Sequence, residues 1–504
     1  MTTPTVVTFL LYLILLLGVG LYFYCRSVSI EDYLLGGRRM GAWVTALSAQ
    51  ASDMSGWLLM GLPGVIYLGG LVNAWIAIGL FIGTVLNWLL VSKRLRLYTQ
   101  KTNAITLPCF FEARFGDPTG LLRVVSAFIV LVFFTIYASS GLIAAGKLFE
   151  STFRVSYTTA VVTGGAVIIA YTFLGGFLAV CWTDLFQAIL MVLALVSVPT
   201  IAYVRAGGIA GIGEAMAARG RSVSLIPDTG AAALLGIVSA MAWGLGYFGQ
   251  PHILVRFMSA KSLTKLSEST AIAIVWVFVS LAGAVAIGLV GIGLFQSMPD
   301  GDQEKVFIQM ITEMIHPWLA GIMLAAILSA IMSTIDSQLL VSSSALTEDF
   351  YQKAINPKAG QREVVLVGRL CVIVISIVAL ILALRPDETI LGIVAYAWGG
   401  FGAAFGPVIL FALFSRRTTW LAALLGMTTG TVILVVWKKI GLGEYMYEIV
   451  PGFIANLAVI LIVNAMVRQE DPLVMQHFDE IVLEMQGCGI GIDSDTTSRS
   501  TSTH

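Results

Sequence analysis

Apolar runs of about twenty residues recur along the whole chain, each ended by charged or turn-forming residues. They fall at 6–25, 42–62, 71–92, 122–146, 158–178, 184–205, 231–251, 270–296, 317–345, 364–384, 390–414, 419–437 and 447–467. Each is long enough to cross a bilayer as a helix, so the pattern predicts an all-α integral membrane protein with about 13 transmembrane helices. Residues 1–467 read as a single transmembrane domain, and 468–504 as a polar C-terminal tail, disordered past Cys488. No Lys or Arg precedes the first run and no small-residue cleavage site follows it, which predicts a first span and not a signal peptide.

Two of the runs are not uniform. In the second, Ala51-Ser52-Asp53-Met54-Ser55-Gly56 sets an acid, two hydroxyls and a glycine at mid-membrane depth, costly in lipid unless the backbone opens there for a purpose. Five runs later, Trp243-Gly244-Leu245-Gly246-Tyr247-Phe248-Gly249-Gln250-Pro251 weakens the helix again with three glycines and a proline. Paired interruptions at corresponding places in two halves point to an inverted repeat of five helices, here about 42–205 and 231–414. The repeat rests on this spacing alone.

Composition agrees with the pattern. Of 504 residues, 58% are hydrophobic and 12% charged, against roughly 25% charged in a soluble domain. Mean hydropathy is +0.91, and membrane lipid is the surrounding this surface demands. The 29 basic and 29 acidic residues cancel, which argues against nucleic acid as a partner, and no room remains for a large soluble catalytic domain. Five cysteines and four histidines lie scattered, suggesting neither a disulfide framework nor a zinc site. With an odd number of spans, about 20 of the Lys and Arg residues sort to one side, Arg256 among them, and about 9 to the other. The positive-inside rule then places the N-terminus outside and the C-terminus in the cytoplasm.

Charge left inside the apolar runs marks candidate chemistry. Asp53 should face a cation or a water-filled cavity, or else cap the broken helix by accepting backbone N–H bonds. In the ninth run Ala330, Ser333, Thr334 and Ser337 share one helical face. Hydroxyls together with carbonyls freed at a broken helix offer a hard monovalent cation such as sodium its oxygens with little net charge, although membrane hydroxyls more often bond the preceding turn. Asp184, at the start of a span, and Asp336, deeper in one, could hold a second cation or a proton with Ser337 if they approach each other. No Lys or Arg is expected within the membrane to pair the three acids. Trp57, Tyr137, Trp243, Tyr247 and Phe248 lie in or near the breaks and could wall a small apolar ring.

Six blocks resemble one family. They are 46–64 (ALSAQASDMSGWLLMGLPG), 134–139 (FTIYAS), 175–184 (GGFLAVCWTD), 243–257 (WGLGYFGQPHILVRF), 332–350 (MSTIDSQLLVSSSALTEDF) and 396–407 (YAWGGFGAAFGP). They are similar to the sodium:solute symporter family, and within it to the branch that carries L-proline. The resemblance runs from about residue 28 to 465. It implies a LeuT-like five-plus-five inverted repeat with flanking helices, alternating access, a bacterial inner-membrane location, sodium as the coupling ion and no cofactor. It further implies sodium on the carbonyls of Ala51, Met54 and Ala330 and the hydroxyls of Ser333 and Thr334, with Asp53 nearby. Proline contacts would fall on Ser55, Gly56, Trp57, Tyr137, Trp243, Tyr247 and Pro251, and Arg38 would serve inward-side coupling. Asp336 and Ser337 stand where the resemblance to the proline-carrying branch implies no acid, which leaves the number of coupled ions open.

Three other readings compete. A sugar carrier would line its pocket with several Asn, Gln and Glu side chains, whereas these breaks offer backbone, hydroxyl and aromatic groups. A transporter-like sensor would append a signalling domain, and the tail is too short for one. No paired carboxylates, histidine cluster or nucleophile elbow suggests an intramembrane enzyme.

Overall fold

A computed structural model describes residues 3–24, 35–174, 176–226, 230–298, 301–385 and 388–488. The expected disorder past Cys488 lies outside the described residues, as do Arg26 and Gly175. Every apolar run falls on helix, and among the described residues ten helices are long and apolar enough to cross a membrane. The other three runs fall on α1 (Thr3–Tyr24), on α2 (Ala42–Asp53) with α3 (Leu62–Gly69), and on α8 (Tyr157–Leu174). Between these come α4 (Ala74–Leu86), α5 (Ser92–Lys101), α6 (Leu107–Phe115) and α7 (Leu121–Phe153). Then follow α9 (Phe177–Arg205), α10 (Gly208–Ala218), α11 (Ala231–Met241), α12 (Pro251–Ser259) and α13 (Leu263–Leu294). The chain continues through α14 (Val306–Met314), α15 (Pro317–Ser344), α16 (Gln361–Ala383) and α17 (Ile390–Phe414). It ends in α18 (Trp420–Lys439), α19 (Ile449–Met466) and α20 (Pro472–Cys488), the last lying within the polar tail.

Both expected interruptions are present, and each has a local cause. α2 stops at Asp53 because Met54 leaves helical geometry (φ −82°, ψ 77°), and the chain resumes through a π-turn, Trp57–Gly61, into α3. Gly56 is required there: a Cβ at this position would come within 2.7 Å of the Ala144 methyl on α7. α11 gives way to a 3-10 stretch, Ala242–Gly249, then Gln250 turns extended before Pro251 opens α12. These broken helices sit at the centre. α2 packs against α9, α13 and α15, while the second break packs against α4 and α17.

α15 and α17 are the most enclosed spans, whereas α16, α18 and α19 keep a wide outer face. Leu10, Leu11, Ile14, Phe186, Leu193, Val275, Phe278, Leu366 and Ile381 are exposed on the bundle exterior, as lipid-facing side chains should be. Buried polar side chains collect instead along α2, α12 and α15.

Candidate functional site

Where α2 ends, the ladder leaves carbonyls without helical N–H partners, since Met54 N bonds Gln50 O and Ser55 N bonds Asp53 O. The Ala51 carbonyl is met instead by α15, with Ser333 Oγ donating at 2.7 Å and Thr334 Oγ1 lying at 3.5 Å. Both hydroxyls also lie 3.1 Å from the Ala330 carbonyl. Four oxygens thus converge between a half-helix C-terminus, the negative end of its dipole, and a continuous helix. A hydroxyl that donates to a carbonyl still carries two lone pairs, so rotation of its hydrogen would present four oxygens to a small cation. Ala51, Ala330, Ser333 and Thr334 are therefore brought together. Met54 sits in the break, and among the described residues no hydrogen bond joins it to Ser333 or Thr334.

Asp53 departs from the expectation that places it with those hydroxyls. Its Oδ2 accepts the Tyr247 hydroxyl at 2.6 Å, and its backbone carbonyl accepts Trp57 Nε1 at 3.0 Å. The carboxylate thus spans from the first break to the second, while Oδ1 stays buried and unpartnered. Aromatic rings close around this link. Trp57 lies 6.4 Å from Trp243, Trp243 lies 5.3 Å from Tyr447, and Trp398 stands edge-on to Tyr247 at 4.9 Å. Trp398 also fixes the second break by donating Nε1 to the Trp243 carbonyl at 2.8 Å.

Tyr137 on α7 comes beside Ser55 and Trp57, its hydroxyl buried without a well-aligned hydrogen bond. Ser55, Gly56, Trp57, Tyr137, Trp243, Tyr247 and Pro251 are all buried around the two breaks. Phe248 is not part of this wall. A 3-10 turn sends adjacent side chains about 120° apart, and Phe248 lines a groove with Ile82, Gly83 and Leu86.

The expectation that no basic residue pairs the buried acids is wrong. Arg256, assigned by hydropathy to a loop, is fully buried on α12. Its Nη2 lies 2.6 Å from Ser337 Oγ and 3.3 Å from Asp184 Oδ2, and its Nε is 3.2 Å from Ser48 Oγ. Ser48 in turn donates to Asp184 Oδ2 at 2.7 Å. Asp336 lies within electrostatic reach of Asp184 and Arg256. Asp184 and Ser337 therefore meet at a guanidinium, with Asp336 in electrostatic reach of it. Both oxygens of Asp336 and Oδ1 of Asp184 have no hydrogen-bond partner.

Sequence reasoning missed Arg256, Ser48, His252, Gln250 and Trp398. The signal was present in the run from Pro251 to Phe257, where one charge sits among apolar residues and His252 and Arg256 are one turn apart.

The two ends of the bundle are tied by different chemistry. Arg38 donates to the carbonyls of Thr99 (3.1 Å), Ala104 (2.8 Å) and Met258 (3.0 Å), and Met40 pairs with Ala260, so the chain entering α2 is stitched to the chain leaving α12. At the other end Lys147 pairs with Glu304 at 2.7 Å, and the Glu304 carboxylate caps α17 by accepting Ile390 N and Leu391 N. Among the described residues no group of histidine, cysteine and carboxylate side chains is arranged to hold a transition metal.

The sodium:solute symporter family model matches residues 33–430. The chain belongs to this family. It is 46% identical to the sodium/proline symporter of Salmonella typhimurium, over 95% of this chain and 96% of that one. It is likewise 46% identical to the sodium/proline symporter of Escherichia coli, over 95% and 96%. Identity to the high-affinity proline transporter PutP of Bacillus subtilis is 47%, over 92% and 98%. A substrate-bound, outward-open sodium-coupled sialic acid symporter superposes with a TM-score of 0.77 at 19% identity, covering 92% of this chain and 98% of that one. Mhp1, a nucleobase-cation-symport-1 transporter in a closed conformation, superposes with a TM-score of 0.55 at 15% identity, covering 90% and 99%. The fold is LeuT-like, and family membership makes the chain a multi-pass membrane transporter and not an enzyme.

Proposed function

We propose that the chain is a sodium-driven importer of L-proline. The observation that carries this reading is the meeting of the Ala51 carbonyl with the Ser333 and Thr334 hydroxyls, directly beside the Asp53 link into an aromatic-walled break. Sodium between α2 and α15 would hold the two halves together through Ala51, Ala330, Ser333 and Thr334, with the Met54 carbonyl completing the set. Asp53, two residues along, would transmit that order to Tyr247 and the substrate wall. This is a coupling free energy between two sites, and it is reciprocal: proline tightens sodium by the same factor as sodium tightens proline. The relatives named for proline, two of them for sodium as well, support the substrate.

Alternating access would pivot the repeat at about 42–205 against that at about 231–414, opening the Arg38 and Glu304 ends in turn. In a bacterial plasma membrane with the N-terminus outside and the C-terminus cytoplasmic, the membrane potential adds about 2.3 kcal/mol per charge per 100 mV to inward movement. Purified protein in liposomes should accumulate labelled L-proline when sodium is higher outside, and not when potassium replaces it. Equal uptake with either ion would refute the reading.

A second cation at Asp184, Asp336 and Ser337 is favoured by one observation. Two carboxylates share the field of a single guanidinium that bonds only Asp184, and three of their four oxygens are unpartnered. One negative charge is left for a sodium ion or a proton to neutralise.

A further inference from the structure

His252 lies in the first turn of α12, directly after the second break, and is wholly buried. A neutral imidazole carries one N–H and one lone pair, and buried polar groups are nearly always satisfied. Here neither Nδ1 nor Nε2 has a partner. The ring is held by shape instead, edge-on to Phe134 at 5.4 Å and to Tyr137 at 6.4 Å. Tyr137, whose hydroxyl lacks a well-aligned hydrogen bond, stands beside Ser55 and Trp57 in the proposed proline wall. Two adjacent groups that can each donate a hydrogen bond therefore end at the same wall, the imidazole without a partner and the phenol without a well-aligned one.

The nearest full charge cannot take over the task. Arg256 is committed to Asp184, Ser337 and Ser48, and its remaining amino group bonds the His252 carbonyl at 3.0 Å. The acceptor oxygens on this wall, Asp53 Oδ1 and the carbonyls of the breaks, suit the ammonium end of a zwitterion. Its carboxylate requires donors, and the first turn of a helix favours negative charge.

We infer that His252 is a substrate-binding residue that, with Tyr137, donates to the carboxylate of the transported amino acid and sets selectivity for that group. This rests on the proline reading above. The test compares wild type, His252→Phe and His252→Asn in proteoliposomes. Phe keeps the ring packing against Phe134 and Tyr137 but removes both nitrogens, whereas Asn restores one N–H. Loss of a hydrogen bond to a charged group should raise the half-saturating L-proline concentration about tenfold or more in the Phe variant, with the Asn variant within about threefold of wild type. Preference for L-proline over L-prolinamide as a competitor should collapse in the Phe variant alone. Sodium binding without proline, read by intrinsic tryptophan fluorescence, should stay within about twofold in all three.

Unaltered affinity or an unaltered amide preference in His252→Phe would overturn the inference, as would equal impairment in both variants or loss of sodium binding in the Phe variant. Absence of sodium-dependent proline uptake by the wild-type chain would overturn the proposed function and this inference together.

Discussion

The neutral cluster around Ala51 and the charged cluster around Asp184 are one helical turn apart on α15, with Ser333 in the first and Ser337 in the second. Ser337 joins them by donating to the Ser333 carbonyl at 2.7 Å. Their electrostatics are opposite. The first is built from carbonyls and hydroxyls, so an empty site strands no formal charge and a sodium ion can enter and leave at modest cost. The second buries two acids and resolves part of that burden with Arg256, at the expense of a permanent ion network. A coupling ion that enters and leaves without stranding a formal charge suits the first kind of site, whereas the second joins a permanent ion pair to one leftover acid charge. A network that holds four helices in register belongs in the second, since α2, α9, α12 and α15 contribute to it through Ser48, Asp184, Arg256 and Ser337.

The largest effect should come from taking the resident cation out of the charged cluster. Arg256→Gln leaves Asp184 and Asp336 without it, and removing one partner of a buried pair costs about 3–5 kcal/mol. Thermal unfolding in detergent should show a drop of several degrees, and adding Asp184→Asn should recover part of it. If the two losses simply add, the clusters do not differ in the way described.

In the neutral cluster the effect should fall on ion affinity and not on stability. Ser333→Ala or Thr334→Ala should raise the sodium concentration for half-maximal proline uptake about tenfold, near 1.4 kcal/mol, with the unfolding temperature nearly unchanged. Unchanged sodium dependence in both variants would remove the site.

A smaller energetic effect, but a discrete one, is expected from Asp336→Asn. Half-saturating sodium should move less than in the Ser333 and Thr334 variants, while the number of cations moved per proline, measured from reversal potentials in proteoliposomes, falls by one. The same count in Asp336→Asn, Asp184→Asn and wild type would mean that the leftover charge of the second cluster plays no part in coupling.

Much of the fold was legible along the chain. A bilayer allows only structures that satisfy their own backbone, so apolar length translates almost directly into helices, and each of the thirteen runs falls on helix. Both breaks were legible for the same reason, because glycine, proline and polar residues in the membrane stand out against that uniformity. The candidate cation residues Ala330, Ser333 and Thr334 could be grouped because they share one helix, where spacing fixes the face. Their meeting with Ala51 could not, since it crosses from α15 to α2. Asp53 was noticed for its cost in lipid, but its partner lies 194 residues away on the second break. Arg256 was lost to a loop because hydropathy windows stop at Gln250 and Pro251, whereas the chain turns there and continues as buried helix.

By itself, then, the sequence determined that this protein lies in a membrane, how many apolar segments it has, where two of them open, and which residues are too polar for their depth. Those properties follow from local solvation and from helical periodicity. Only the tertiary structure decided which oxygens converge, which acid faces a tyrosine, and which pair already owns a cation. Pairings between distant helices depend on how the broken halves pack, and no local pattern encodes the distance between them.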